Sequence, residues 1–246
     1  MKILVCISVV PDTTTKIRFE EDGSSIKTDG VKFVINPYCE YGLSKAVGFR
    51  EEGKEVSITT ITVDSTRADE SIRKALAIGA DDAVRIDAAP SDAAFVASQI
   101  AAYAKDKDFD LIFTGKESID FNGGMVPGML AEHLDLPFVS FATHMELTGD
   151  KSADVKREVD GGSELLGVNL PAVISCQKGI AEWRIPNMRG IMAARRKPFE
   201  MVAPTESQEI VKTVKLDYPP AKGDTHYFDP ENAGELVTTL SNKGLI

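Results

Sequence analysis

The feature that most constrains this chain is a recurrence in which short apolar runs are each followed by a stretch with helical spacing. Lys2 to Val10, Glu55 to Val63, Ala83 to Ile86 and Asp110 to Thr114 are the runs. Tyr38 to Glu52, Ala68 to Ile78 and Asp92 to Ala104 carry the amphipathic spacing of helices, the first with Leu43, Ala46, Val47 and Arg50 on one face. Runs without an alternating polar face suit strands buried on both sides, which requires a parallel sheet covered by helices. The predicted class is α/β, a mainly parallel sheet with helices on both faces. Additions flank this pattern. Ile17 to Phe19 and Ser25 to Lys27 read as a hairpin, and Phe138 to Leu147, Val155 to Val159 and Leu165 to Leu170 as antiparallel strands before a further strand at Ala172 to Cys176. From Pro198 the dense periodicity stops, and Pro204, Pro219-Pro220 and Gly223 mark an extended arm with a helix from Pro230 to Leu240. The expected organisation is an α/β domain over 1–197 and an arm over 198–246.

Charge and cysteine usage exclude several classes. Lys plus Arg is 28 against 38 for Asp plus Glu, a net charge of −10, which argues against a nucleic-acid binder. Cys6, Cys39 and Cys176 are odd in number and far apart in sequence, so neither a disulfide framework nor a zinc site is expected, and a reducing cytoplasm is the simplest location. No apolar run is long enough to span a bilayer, and Lys2 to Val10, which stops at Pro11-Asp12 without a small-residue cleavage site, reads as a strand rather than a leader.

Standard catalytic signatures are absent: no glycine-rich dinucleotide fingerprint follows the first strand, and no Walker loop, His-Glu-x-x-His or Gly-x-Ser-x-Gly occurs. His133, His144 and His226 have no metal-ligand spacing. Two segments carry stronger signals. Gly115 to Gly124 joins the end of a strand to a helix over Met125 to Leu134, the place where open α/β sheets bind ligands and where glycines let amides approach phosphate. A plain connection explains it equally well. Asn36-Pro37-Tyr38-Cys39-Glu40 starts a helix near the same edge, and simple capping is its competing explanation. The second segment runs from Arg184 to Lys197 and holds Arg184, Arg189, Arg195, Arg196 and Lys197 with no acid, interleaved with Ile185, Pro186, Met188 and Met192. In so acidic a chain, that mixture suits a docking surface for an acidic partner.

Several motifs in order resemble one family. Thr28-Asp29-Gly30, Asn36 to Glu40, Ile72 to Asp81, Gly115 to Asp120, Val155 to Gly162, Leu170 to Val173 and Ile185-Pro186-Asn187 together resemble the β (small) subunit of electron transfer flavoprotein along nearly the whole chain. The resemblance implies a Rossmann-like adenine-nucleotide-binding domain in a heterodimer with an α subunit. It further implies an FAD mostly held by α, an AMP in β, and a C-terminal arm that embraces α. By position, the nucleotide site would comprise Cys6, Asn36, Pro37, Tyr38, Cys39, Val63, Asp120, Phe121, Asn122, Gly123, Gly124, Met125, Val126, Pro127, Gly128 and Met129, with Tyr38 also facing the flavin. Ile185, Pro186 and Asn187 fall where the family docks acyl-CoA dehydrogenases, Ile185 as anchor, and Arg195, Arg196 and Lys197 fall in its basic cluster.

The implied activity is electron transfer from such dehydrogenases to an acceptor such as a quinone oxidoreductase, without catalytic acid–base residues, metal or membrane insertion. The loop departs from the family's pattern: AMP-binding members carry Thr-Gly-Gln at Val126-Pro127-Gly128, and electron-bifurcating members carry Gln-Val-Gly-Pro at Met125 to Gly128. An NADH-oxidising, bifurcating subunit with a second FAD in β is therefore the alternative. A stand-alone nucleotide-binding sensor domain is the alternative from another class.

Overall fold

The computed structural model describes residues 1–246. Five parallel strands form the centre of one sheet: β1 (Lys2–Cys6), β4 (Ser57–Val63), β5 (Asp82–Ile86), β6 (Leu111–Gly115) and β10 (Ala172–Cys176). β2 (Val9–Pro11) and β3 (Phe33–Ile35) form a separate antiparallel pair. The wing is β7 (Phe138–Gly149), β8 (Ser152–Val159) and β9 (Gly162–Asn169), and β11 (Phe199–Val202) closes the opposite edge. The sheet order is β11-β5-β4-β1-β6-β10-β7-β8-β9. Every pair is parallel except β7 with β8 and β8 with β9.

The helices are α1 (Pro37–Glu51), α2 (Asp69–Ile78), α3 (Ala93–Ala104), α4 (Met125–Leu134), α5 (Met188–Ala194) and α6 (Ala233–Asn242). Side chains alternate across the sheet with period two. Ile3 and Val5 of β1, with Leu111 and Phe113 of β6, join α1 and α2 in one core; Leu4 and Cys6, with Ile112, join α3 and α4 in the other. Because the strands feed two cores, they hold few polar residues, and those few, such as Thr60, Thr62, Arg85 and Ser175, are themselves buried, which is why the strands read as largely apolar runs. No helix is long and apolar enough to cross a membrane.

Three local differences from the sequence reading have physical causes. The first run is not one strand to Val10. Beyond Cys6, Ile7 N–H still donates to Ile61 O at 2.8 Å, but the Ser8 amide turns to the Cys39 sulfur and the chain leaves the sheet to pair with β3. The hairpin at 17–27 holds a single bridge, Phe19 with Ile26. The sheet also claims Phe199–Val202, four residues past the expected boundary, as an edge strand beside β5 whose partly exposed side chains carry no buried pattern.

Beyond β11 the arm lies on its own domain before leaving it. Gln99 and Thr205 exchange hydrogen bonds at 2.7 and 2.9 Å, and Ser98 meets Ser207 at 2.6 Å. The Asp92 carboxylate caps α3 through Phe95 N–H and also accepts from the Ile210 and Val211 amides at 2.7 and 2.8 Å. Leu216 N–H then donates to Gly23 O, and Tyr218 packs on Phe19. Helix α6 has no buried residue.

Candidate functional site

The strand order β5-β4-β1-β6-β10 runs outward in both directions from β1 and β6, so the direction of winding reverses between these two strands. The crevice outside the carboxyl ends of such a pair is the ligand site of open α/β sheets. Here Cys6 ends β1, Val63 ends β4 and Thr114-Gly115 ends β6, all buried.

Asn36 organises this edge. It occupies the N-cap position of α1, with Pro37 opening the helix, yet its side chain makes no capping hydrogen bond. Instead Nδ2 donates to Glu117 O at 2.7 Å and to the Cys39 sulfur at 3.3 Å, while Oδ1 accepts from Ile119 N–H at 3.4 Å. The fully buried amide thus ties the start of α1 to a loop more than 80 residues away. Gly115 is needed beside it: a Cβ there would lie 3.0 Å from Asn36 Nδ2, Cys39 N and Cys39 Sγ.

The loop after Gly115 is closed on itself. Ser118 and Gly123 exchange both backbone hydrogen bonds, at 2.9 and 3.2 Å, and Asp120 accepts from Ser118 Oγ and from the Phe121 amide. Helix α4 begins at Met125, as the sequence predicts, and its N-cap Gly124 supplies no side-chain acceptor. The first-turn amides of α4 therefore keep their capacity for an anion, as a nucleotide phosphate requires. Pro127 lacks an N–H and removes one of them. Phe121 and Met125 are exposed at the mouth, and Asn122 sits there with φ +49°. Val126 and Met129 are partly buried against the α3–α4 core, and Gly128 lies beside the Phe138 ring.

Residues that sequence reasoning did not single out complete the edge. Asp64, directly after Val63, is buried and accepts from Ser65 N–H and Arg67 Nε, both at 2.7 Å. Lys116 holds its ammonium 4.8 Å above the Tyr38 ring and 5.9 Å from the Phe141 ring. Phe141 stands at φ +53°, an uncommon backbone for a bulky residue, where its amide N–H donates to Ser175 Oγ at 3.0 Å and its ring stays exposed. Position next to a strand end was the available signal for Asp64 and Lys116; none marked Phe141. Burial pushes the thiols of Cys6 and Cys176 well up, with Cys39 adding to both, so these two sulfurs act as packing groups and not as nucleophiles.

The segment expected from the sequence to dock a partner is displayed on a braced support. Ile185 and Met188 are 76% and 74% exposed, and Met192 and Trp183 also face outward. Behind them α5 is clamped to α2. Arg73 donates to Ala194 O and Lys197 O, and a Cβ on Gly190 would overlap the Ala77 carbonyl. Two of the expected docking residues are spent on this support. Asn187 caps α5 through Gly190 N–H at 2.8 Å, and Lys197 Nζ caps the end of α2 on Leu76 O and Ala80 O. Arg195 and Arg196 are exposed, and Pro186 is half-buried.

The comparisons with known proteins meet this geometry. A family model described as the electron transfer flavoprotein domain matches residues 24–207. The chain belongs to the electron transfer flavoprotein family. Within it, similarity runs to β subunits. Electron transfer flavoprotein subunit beta of Syntrophomonas wolfei is 36% identical over 90% of this chain and 87% of the relative. The Bacillus subtilis subunit is 34% identical over the full length of both. The human subunit is 32% identical over 100% of this chain and 99% of its own. The family accounts for the mainly parallel sheet with its antiparallel wing.

Proposed function

We propose that this chain is the β subunit of a cytoplasmic heterodimeric electron carrier. It takes electrons from acyl-CoA dehydrogenase-type donors in fatty acid oxidation and passes them to an acceptor such as a quinone oxidoreductase. In this reading AMP occupies the crevice between β1 and β6, with its phosphate on the amides of the 120–126 turn and its base against Cys6, Cys39 and Val63. FAD, held mainly by an α subunit, supplies the redox chemistry when bound. This chain's part is to bind and orient: Tyr38, Lys116 and Phe141 form the aromatic and cationic face offered to the flavin, and Ile185 anchors the dehydrogenase. The arm, residues 198–246, reaches α with the part that follows Tyr218, beyond its contacts with its own domain. Helix α6 supports this, since ten residues with exposed Leu236 and Val237 and no buried partner do not hold a helix unaided.

The observation that carries the nucleotide reading is Asn36. An N-cap residue that leaves its own helix uncapped in order to pin the 117–119 backbone builds a rigid loop at the switch point. A second reading, an electron-bifurcating subunit with a second FAD in the crevice and NADH as its reductant, draws on Val126-Pro127-Gly128. That sequence offers no side-chain hydroxyl or amide and one backbone amide fewer to an AMP phosphate.

Denaturing the chain purified with its α partner and quantifying the released nucleotides separates the readings. One FAD and one AMP per heterodimer is the expected result. Two FADs turn the assignment to bifurcation, and no flavin overturns both. For docking, Ile185→Ala is expected to slow flavin reduction by a dehydrogenase at unchanged flavin content, and unaltered transfer kinetics would remove Ile185 as the anchor.

A further inference from the structure

The most deeply buried charge of the chain is Arg85, at 1% exposure, and it has no part in the site described so far. It stands one residue before the end of β5, the strand beside β4. Its Nη1 donates to Asp64 O at 3.1 Å and to the Asp87 carboxylate at 2.6 Å, and its Nη2 meets the Met201 sulfur of β11 at 3.2 Å. Nε lies 3.0 Å from the Asp69 carboxylate at the start of α2, an ion pair without hydrogen-bond geometry. One guanidinium therefore joins β4, α2, β5 and β11. Burying an ion costs several kcal/mol in desolvation, and apolar packing serves stability as well or better. Neutralising Asp69 and Asp87 does not demand it either, since both carboxylates are partly open to solvent. What a planar group with several donors supplies here is a rigid hold on the Asp64 carbonyl.

That hold fixes the residue before it. Asp64 N–H donates to Ile86 O at 3.1 Å, so both backbone polar groups of Asp64 are tied to the β5 side. Backbone groups alternate in direction along a strand, and those of Val63 point the other way, towards β1. Ile7 N–H still reaches Ile61 O, but β1 then leaves the sheet, and neither Val63 N–H nor Val63 O has a hydrogen-bond partner in the protein. Strand β4 thus ends on one donor and one acceptor directed at the crevice. The Watson–Crick edge of adenine carries their complement, the N1 acceptor and the N6 amino donor. We propose that Arg85 is a positioning residue for adenine recognition: by clamping Asp64 it sets the direction of the Val63 N–H and C=O that select the base. The inference rests on the nucleotide reading above, and it concerns the base alone, not the phosphate turn or the flavin.

The test uses the full chain with its α subunit, loaded with radiolabelled AMP, and measures how much unlabelled AMP or IMP displaces half of the label. IMP carries an acceptor at position 6 and a proton on N1, so it opposes both Val63 groups. Wild type is expected to need about 30-fold more IMP than AMP, the loss of two hydrogen bonds. Arg85→Met should reduce that ratio about tenfold, and Arg85→Lys, one ammonium in place of the fork, about threefold. Arg50→Met is the control for lost stability alone. Arg50 braces α1 through Gly79 O, Val56 O and Asp81, away from the end of β4, so its ratio should stay at the wild-type value. If the complex with Arg85→Met does not assemble, Arg85→Lys, which keeps the charge, decides alone. An unchanged ratio in the Arg85 variants overturns the proposal, as does an equal fall in Arg50→Met. A wild type that binds AMP and IMP equally also overturns it and leaves the nucleotide reading standing. A wild type that takes up no labelled AMP overturns both.

Discussion

The parallel centre of the sheet and its antiparallel wing are built on different rules. In β1, β4, β6 and β10 nearly every residue is buried, because helices cover both faces. In β7 and β8 burial alternates: Met145, Ala153 and Val155 face the core, while His144, Glu146 and Lys156 stay in solvent, and β9 is exposed along most of its length. The first arrangement concentrates stability and fixes the strand ends on which the crevice depends. The second leaves one face and an outer edge available. In the proposed reading the nucleotide site sits on the rigid centre and the partner surfaces on the periphery.

The comparison breaks first if the two regions respond alike to truncation. Phe113, fully buried and stacked on Phe49, should cost about 3–5 kcal/mol as Phe113→Ala. Leu165 on β9 is 70% exposed and should cost less than about 0.5 kcal/mol as Leu165→Ala, both read from urea unfolding. Comparable losses would mean that the wing is as tightly covered as the centre. Next in size is Gly115→Ala, where the added methyl presses on Asn36 and Cys39 and should remove about 1–3 kcal/mol. It should also lower the nucleotide retained through purification, whereas a stability loss at full nucleotide content would separate the loop anchor from binding.

The arm sharpens the contrast at the edge. Asp92→Ala removes the α3 cap and the acceptor for two arm amides, for a loss of about 0.5–2 kcal/mol and faster hydrogen exchange over residues 205–211. Burial raises the Asp92 pKa, but the amides of Phe95, Val211, Ile210 and Ala94 outweigh it and hold the carboxyl below its usual range. Its contribution is complete above the unfolded value of about 3.9 and fades as pH falls through the lower folded value. Arm exchange should accelerate in that acid window in wild type and be insensitive to it in Asp92→Ala.

The smallest effect is expected at Asp82, the first residue of β5. Burial raises its pKa against a lowering hydrogen bond from Thr59, and Asp81 and Glu200 push it further up. The ionised form is therefore a net cost at neutral pH, relieved as pH falls through the raised folded value. Asp82→Asn should gain a few tenths of a kcal/mol at pH 7, because the group is partly open to solvent, and the gain should vanish on acidification.

Much of the scaffold was legible because its cause is local. Continuous apolar runs mark strands covered on both faces, and α4 spans the same Met125–Leu134 in sequence and structure. The loop after Gly115 stood out by its glycines and by its place at a strand end. Phe199–Val202 was not legible, since a four-residue edge strand with exposed Glu200 and Met201 carries no buried period of its own. Phe141 was hidden for a related reason: its outward turn comes from a bulge in the pairing of β7, not from its neighbours in sequence.

By itself, then, the sequence determined the strands at the centre of the sheet and helices α1 to α4, that most of the sheet is parallel, and which strand end opens into a glycine-rich turn, because periodicity and turn chemistry act over a few residues. The tertiary structure decided that Asn36 pins a loop more than 80 residues away, that Lys197 caps α2, and that Asp92 serves both a helix and the arm. Each of these depends on which distant group closes over a polar side chain once water has left, and local pattern holds no record of that.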